Sequence, residues 1–334
     1  YAANPFSLPE GRGITAGDLE GASAAIYVIS RISGEGKDRR RTEGDYYLSP
    51  KEREDIRYLD QANMPVVLIL NTGAPIELTD VLEKTENIRA ILHISLPGQE
   101  GGHAVADVLS GKAAPGGRLT STWARRYEDY PSAGNFGYLN GDLEKEEYRE
   151  GIYVGYKYYE TRYEDCILGA GNAKSTEGAI DGATEWNYSK EVSYPFGFGL
   201  SYSTFTQKLD SVTYDAAKDE FTAKVTVKNT NNKKGKEVVQ LYVQTPYTDY
   251  DKEHGVEKAA IQLVGYTKVD VDANATVTAE IKFDRYLMAS YDITANDNAG
   301  GYILDAGKYY FAIGNGAHEA LNNVLAKKGA TGMY

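Results

Sequence analysis

Residues 24–30 read Ala-Ala-Ile-Tyr-Val-Ile-Ser, 66–70 read Val-Val-Leu-Ile-Leu, and 88–94 read Ile-Arg-Ala-Ile-Leu-His-Ile. Apolar runs this short and this unbroken suit strands buried on both faces, as in a parallel sheet. Between the first two lies Ser49-Pro50-Lys51-Glu52. Ser49 can cap a helix, Pro50 fits its first turn and Glu52 can return the capping bond. Ile56 and Leu59 then supply an inward stripe before Asn63 and Pro65 end the segment. After the third run, Gly98–Gly102 leads into His-Ala-Val-Ala-Asp-Val-Leu-Ser-Gly, where Val105, Val108 and Leu109 share one helical face. The order is βαβαβα. With right-handed crossovers it gives an α/β layer structure, a partial αβα sandwich on a mostly parallel sheet. Three strands are few for such a sheet, so further strands are expected from a longer polypeptide or from a partner.

The last third has a different period. Phe221, Ala223, Val225 and Val227 alternate with Thr222, Lys224, Thr226 and Lys228, the pattern of a half-buried strand. The turn-rich stretch 229–236 follows, and Glu237–Gln244 returns as a second strand, which predicts a hairpin with a long loop. Ala275–Phe283 alternates as strictly, and Tyr309, Phe311 and Ile313 mark another strand. Together these predict an antiparallel β-sandwich of about 110 residues, the size of immunoglobulin-like modules. The expected organisation is an incomplete αβ-sandwich domain over 1–135 and a Gly/Tyr-rich connecting segment over 136–205 with a surface insertion at 169–182. An all-β domain over 206–320 and a tail or linker over 321–334 complete it.

Composition narrows the function. The chain has 334 residues, 42% hydrophobic and 25% charged, which excludes wholesale disorder and collagen-like structure. With 36 basic and 48 acidic side chains the net charge is −12, a field that repels phosphate backbones and anionic lipid heads. Neither nucleic acid nor a membrane is expected as a partner. The apolar runs are far shorter than the roughly 20 residues of a membrane-spanning helix. Cys166 is alone, and the four histidines stand apart at 93, 103, 254 and 318, so no disulfide, metal site or cofactor is expected. The opening Tyr1–Gly13 shows no basic start, apolar stretch and cleavage site, so no secretory signal is visible. The 28 tyrosines favour half-buried strands and also suit platforms for sugar rings.

In an open parallel sheet, ligands meet the loops at the carboxyl ends of the strands. The loop after the first strand reads Arg31-Ile32-Ser33-Gly34-Glu35-Gly36-Lys37-Asp38-Arg39. A glutamate between two glycines is sterically unshielded on a backbone that can bend sharply. On spacing alone, Glu35 reads first as a solvated loop carboxylate and second as a group aimed at a ligand. Leu96–Gly102 lacks the lysine and hydroxyl pair of a nucleotide loop and is expected to serve packing. His103 and Asp107 read as a surface contact, and Gly197–Ser201 as tight backbone packing without a nucleophile elbow.

Six segments nevertheless carry a resemblance. They are VISRISGEGKDR (28–39), VVLILNTGAPIEL (66–78), LPGQEGGHAVADVLSGKAAPGGRL (96–119), EGIYVGYKYYE (150–160), YPFGFGLSYSTF (194–205) and GKEVVQLYV (235–243). In wording and order they resemble the carboxyl half of glycoside hydrolase family 3 β-glucosidases. The resemblance implies an αβ-sandwich domain that packs against a catalytic (β/α)8 barrel, followed by a fibronectin-III-like module. It implies hydrolysis of β-glycosides with retention, by an aspartate from the barrel and a glutamate acid/base that maps onto Glu35. Such a mechanism sets the two carboxyl groups about 5–5.5 Å apart, and desolvation or the nucleophile's charge must raise the acid's pKa. Asp38 and Arg39 match the family's Asp-Arg pair and imply loop support or a place on the substrate side; a surface ion pair is the equal alternative.

The barrel and its Ser-Asp-Trp motif do not occur in these residues, nor does the stretch that opens the αβ-sandwich domain. The resemblance therefore implies the acid/base-bearing portion of a retaining β-glucosidase, incomplete as this chain alone. Its partners would be a β-glucoside or cello-oligosaccharide and the barrel-bearing segment or chain, with a homo-oligomer as a further option. The ending ALNNVLAKKGATGMY resembles the continuation in permuted members from gut bacteria, which implies a bacterial cytoplasmic or secreted protein. Lys37 and Tyr47-Leu48-Ser49 depart from the common family pattern and bear on fine specificity. A β-xylosidase of the same family and a non-catalytic carbohydrate-binding subunit stand as alternatives.

Overall fold

A computed structural model describes residues 12–32, 39–137, 142, 144–169 and 186–334. The chain divides into two units: one runs through Ala113 and includes Arg125–Tyr127, the other takes Ala114–Ala124 and Glu128–Tyr334. Their border falls earlier than the expected 135.

The first unit is built as its apolar runs require. Strands β1 (Ala25–Ser30), β2 (Val66–Asn71) and β3 (Ile88–His93) alternate with helices α1 (Pro50–Gln61), α2 (Thr79–Lys84) and α3 (Gly101–Leu109). The sheet order is β1-β2-β3, parallel throughout, with Tyr27 opposite Leu68 and Leu68 opposite Ile91. Ser49 accepts from the amide of Glu52, whose side chain accepts in return from Ser49. That capping box starts α1, and Ile56 and Leu59 turn inward from it to full burial. One face of β1 is covered, with Ile29 wholly buried, but on the other Ile26 and Val28 are 57% and 54% exposed. Along helix α3, Val105 and Val108 are only half-buried and Leu109 is exposed, although they share one helical face.

The second unit is all-β with helical additions. It holds β4 (Trp123–Ala124), α4 (Tyr156–Leu168), α5 (Tyr188–Glu191), β5 (Val192–Tyr194), β6 (Phe205–Asp215), β7 (Glu220–Asn229), β8 (Gly235–Gln244), α6 (Asp249–His254), β9 (Gln262–Val271) and β10 (Thr276–Asp284). Beyond these lie β11 (Ser290–Asp292), the single turn α7 (Ala295–Asn298), β12 (Gly301–Ile303), β13 (Tyr310–Ile313) and α8 (Ala317–Lys327). Two three-stranded sheets, β10-β7-β6 and β13-β8-β9, form the antiparallel sandwich. Its filling includes Ala223, Val225 and Val227 of β7 with Val239, Leu241 and Val243 of β8.

The hairpin expected of β7 and β8 is therefore corrected: the strands lie in different sheets. As neighbours in one sheet their apolar rows would share a face without an opposing layer; in two sheets they meet across the core. The crossing is held by Asn229, whose side-chain amide donates to the carbonyls of Lys233 (2.8 Å) and Val271 (3.1 Å).

Two further expectations change. Residues 321–334 are no mere tail, because Leu321, Val324 and Leu325 of α8 are buried in a second core. The segment 136–205 supplies α4, whose Tyr158, Tyr159 and Tyr163 join the same core from a helix, not from a half-buried strand. The insertion expected at 169–182 lies outside the described residues except for Gly169, the left-handed cap of α4. Among the described residues no helix is long and apolar enough to cross a membrane.

A candidate catalytic loop and its anchorage

The segment 33–38 leaves from the carboxyl end of β1, where parallel sheets present their ligand-binding loops. Glu35, Lys37 and Asp38 lie outside the described residues. Both flanks of the segment are described, and both are fastened.

Arg31, one residue beyond β1, is buried. Its Nε donates to the carbonyl of Asp45 (2.7 Å) and its Nη1 to the carbonyl of Ser30 (2.8 Å) and to Glu52 Oε1 (2.7 Å). Its Nη2 donates to Glu52 Oε2 (2.7 Å) and the carbonyl of Tyr47 (3.3 Å). A guanidinium has five N–H donors, and here each has an acceptor. The bidentate pairing with Glu52 is the strong form of the contact. Glu52 also closes the capping box of α1, so one carboxylate ties the start of that helix to the end of β1.

On the departing side, Arg39 Nε donates to Asp45 Oδ1 and its Nη2 to the carbonyl of the same residue. The amide of Arg40 donates to Asp45 Oδ2 at 2.8 Å. Asp45 is brought back to this point by a tight turn. The amides of Asp45 and Tyr46 donate to the carbonyls of Thr42 and Arg40, each at 3.2 Å, and Gly44 adopts a φ of 80°. Only glycine takes that conformation without a steric cost. Arg39 Nη1 is buried with no hydrogen-bond partner among the described residues.

Charge follows the geometry. Burial opposes ionisation of Asp45, but the Arg40 amide and the guanidiniums of Arg39 and Arg31 outweigh it and hold the carboxyl below its ordinary range. Glu52 behaves alike: burial is overcome by Arg31 and the Ser49 amide, and its pKa is lowered. Both carboxylates are thus ionised partners of the arginines, unsuited to giving up a proton near neutrality.

The other sequence candidates serve structure. His103 Nδ1 lies 2.6 Å from exposed Glu100 Oε2, and the half-buried Asp107 lies 3.5 Å from Lys112 Nζ. Gly101 packs so closely that a Cβ there would meet Pro97 Cγ at 2.4 Å. At Gly197 and Gly199 a Cβ would meet Gln240 Oε1 at 2.1 Å and the carbonyl of Gly117 at 2.5 Å. Cys166 is exposed and, among the described residues, no group of three or more His, Cys, Asp or Glu is placed to hold a metal. Of the anchoring residues, Arg31 stood inside a recognisable motif and Glu52 showed itself only as a helix cap. Asp45 carried no sequence signal.

Residues 15–156 match the glycosyl hydrolase family 3 C-terminal domain and residues 237–317 the fibronectin type III-like domain. β-Glucosidase A of Butyrivibrio fibrisolvens is 32% identical over 89% of this chain, which spans 36% of that protein. The exo-α-(1→6)-L-arabinopyranosidase of Bifidobacterium longum is 29% identical over 88% of the chain and 32% of its own length. The solved β-glucosidase of Paenibacillus barengoltzii superposes with a TM-score of 0.74 and 31% identity over 92% of this chain and 30% of that one. With these matches, the α/β layer followed by a fibronectin-like sandwich is that of a glycosyl hydrolase carboxyl-terminal module. More narrowly, the chain belongs to glycoside hydrolase family 3 and matches the carboxyl half of its β-glucosidases. It spans only about a third of the length of these relatives.

Proposed function

We propose that this chain is the acid/base-bearing portion of a retaining β-glucosidase acting on terminal β-D-glucosyl residues of cello-oligosaccharides or aryl glucosides. Glu35 first protonates the departing glycosidic oxygen, which relieves that oxygen of its negative charge as the bond breaks. It then takes a proton from the water that releases the sugar. As the glycosidic bond breaks, an aspartate on a (β/α)8 barrel outside this chain bonds to the anomeric carbon, and the activated water later displaces that aspartate. Asp38 and Arg39 support the loop or reach the substrate side.

The observation that carries this reading is the double anchorage of segment 33–38 at the carboxyl end of β1, in a chain of this family. A solvated surface loop has no need of two arginines fixed at its ends. The uncovered face of β1 supports the incompleteness: Ile26 and Val28 are dressed for an interior that these residues do not supply.

The test uses the barrel-containing protein. Glu35→Ala should lower turnover of an alkyl β-glucoside by about 10²–10⁴-fold, the usual contribution of a general acid. Azide should restore turnover of an activated aryl glucoside and yield the β-glucosyl azide. Intact turnover of the alkyl glucoside would end the proposal.

One observation favours a second reading, a pentopyranosidase: the Bifidobacterium relative carries an arabinopyranosidase name at nearly the same identity as the glucosidases. The barrel side of the pocket, where the C6 arm of glucose must fit, decides between them. Comparing kcat/KM for nitrophenyl β-D-glucoside, β-D-xyloside and α-L-arabinopyranoside separates the readings.

A further inference from the structure

The tyrosines of the second unit divide by surroundings. Tyr158, Tyr159 and Tyr163 fill a core, whereas Tyr286, Tyr291 and Tyr302 are each more than half exposed and stand together, within the residues that match the fibronectin type III-like domain. Tyr302 is the middle ring. Its centroid lies 4.8 Å from that of Tyr286 and 5.2 Å from that of Tyr291, with interplanar angles of 61° and 72°. Edge-to-face contact of this kind fixes the rings without stacking them shut. The backbone holds all three. Tyr291 and Tyr302 are directly opposite in the antiparallel pair β11-β12, so their side chains leave the same face. Asp292, next along β11, is buried and accepts from the Thr294 amide and hydroxyl and from the Tyr250 hydroxyl, each at 2.7 Å. Tyr291 packs over Gly300, where a Cβ would meet its hydroxyl oxygen at 2.2 Å. Tyr286 lies on the single turn Arg285–Met288, whose Met288 is buried in the sandwich core.

We propose that Tyr286, Tyr291 and Tyr302 form a binding platform for a single soluble β-glucan chain. Aromatic rings held open to solvent suit a ligand that offers apolar C–H faces rimmed by hydroxyls: the ring takes the C–H face and the phenol exchanges hydrogen bonds with the rim. Tyrosine has few rotatable bonds, so little conformational freedom is lost when the ligand settles. Both centroid separations are close to the advance per sugar of a β-1,4-linked glucan. The steep angles between neighbouring rings fit one chain that turns from sugar to sugar, not the flat face of a crystal. Charge decides among occupants. Residues 284–305 hold Asp284, Asp292, Asp297 and Asp305 against one basic residue, Arg285, which pairs with Asp219 at 2.9 Å, while Asp305 takes Lys258. The surplus of acid repels anionic polymers and lipid surfaces, and a second copy of the chain would set acid against acid across the patch. A neutral sugar polymer meets neither penalty. The choice of a β-linked glucan rests on the β-glucosidase reading above.

The test is affinity electrophoresis of the barrel-containing protein through gels with soluble mixed-linkage β-glucan, with dextran, an α-linked glucan, or with neither. Excess glucose is present throughout to occupy the hydrolytic site. The wild type should be retarded by β-glucan and not by dextran. Tyr302→Ala and Tyr286→Ala should each raise the dissociation constant for β-glucan by about 5-fold or more, the loss expected of an aromatic anchor. Tyr302→Phe, which keeps the ring, should lose less than Tyr302→Ala. Absent retardation of the wild type, equal retardation by dextran, or undiminished retardation of both alanine variants overturns the platform. So do alanine variants that lose self-association in sedimentation while keeping retardation, since the patch would then be a contact between copies. Should Tyr302→Ala, in the hairpin, fail to fold, Tyr286→Ala, on the turn outside it, carries the comparison. The two readings fail separately. A protein that β-glucan retards but that does not hydrolyse β-glucosides sinks the β-glucosidase reading and leaves the platform standing; hydrolysis without retardation does the reverse.

Discussion

The two units bury their strands in opposite ways. In β7 of the sandwich, Ala223, Val225 and Val227 are fully buried and the alternating residues face outward, so each apolar side chain has an interior to enter. In β1 of the parallel sheet the sequence is apolar on both sides, yet Ile26 and Val28 stand more than half exposed, and Ile32, two residues beyond the strand, reaches 96% exposure. A continuous apolar run states that a strand is fit for burial on both faces; it does not supply the second layer. The sandwich closes on its own residues, while the parallel sheet is finished on one face only. The exposed apolar face among the described residues thus lies in the unit that carries the proposed acid.

That contrast can be broken by unfolding experiments on this chain, because both tryptophans, Trp123 and Trp186, lie in the second unit. Leu321→Ala empties a fully buried site in the core that includes Trp186. It should cost about 2–5 kcal/mol and move the fluorescence transition. Arg31→Ala leaves the half-buried Glu52 carboxylate without its guanidinium partner and should cost the first unit about 1.5–3 kcal/mol. Circular dichroism should register an earlier denaturant transition while tryptophan fluorescence keeps its midpoint. A shift of both probes together would show that the units unfold as one. Val28→Thr on the uncovered face should change the stability of this chain by less than about 0.5 kcal/mol. The same substitution in the barrel-containing protein should be clearly destabilising, and equal small effects in both would mean that the face stays open.

The same contrast explains what the sequence disclosed. The strands of the first unit were legible because each is a compact apolar run, and α1 because Ser49 and Glu52 form a reciprocal cap within four residues. The sandwich strands 221–228 and 275–283 were legible from period two. Strand β6 was not, since a register shift between Leu209 and Ser211 breaks its alternation. Nor was the assignment of β7 and β8 to different sheets, because chain order carries no information about layers when a turn-rich bridge follows a strand. Helix α4 hid behind its tyrosines, which favour strands until tertiary packing overrides them. At the candidate site, Glu35 stood out through the family resemblance, since its flanking glycines alone read first as a solvated loop. Its anchorage did not, because Arg31 reaches Asp45 across 14 residues and Glu52 across 21, distances at which no periodicity operates.

The smallest expected effect separates two sites, one in each unit, by the sign of their pH dependence. In the first, Asp45 and Glu52 have lowered folded pKa values. Their stabilisation is present above the unfolded carboxylate range, about 3.9–4.3, and is lost as pH falls through the folded values. In the second, His318 lies between Glu160 Oε2 (2.8 Å) and the carbonyl of Tyr334 (2.9 Å). Both are acceptors, so both ring nitrogens must carry hydrogens, and a neutral imidazole can serve only one of them. Burial disfavours the charged ring, but Glu160 and the Tyr334 carbonyl outweigh it and raise the pKa. The remaining groups against the ring are the phenols of Tyr188, stacked at 3.8 Å, and Tyr163 at 4.6 Å, both with raised pKa values and hence neutral near pH 7. The contribution of His318 is therefore complete below about pH 6.5, its unfolded value, and fades as pH rises through the higher folded one. A hydrogen bond to a charged group is worth about 1.5–3 kcal/mol, and only the differential part of it titrates. Amide exchange at Tyr334, whose N–H donates to the Tyr163 hydroxyl at 3.0 Å, should quicken above neutrality beyond the intrinsic pH dependence. In His318→Gln the excess should vanish, since glutamine does not titrate. An excess that survives the substitution would assign the alkaline loosening to another group, and the opposed signs of the two sites would no longer hold.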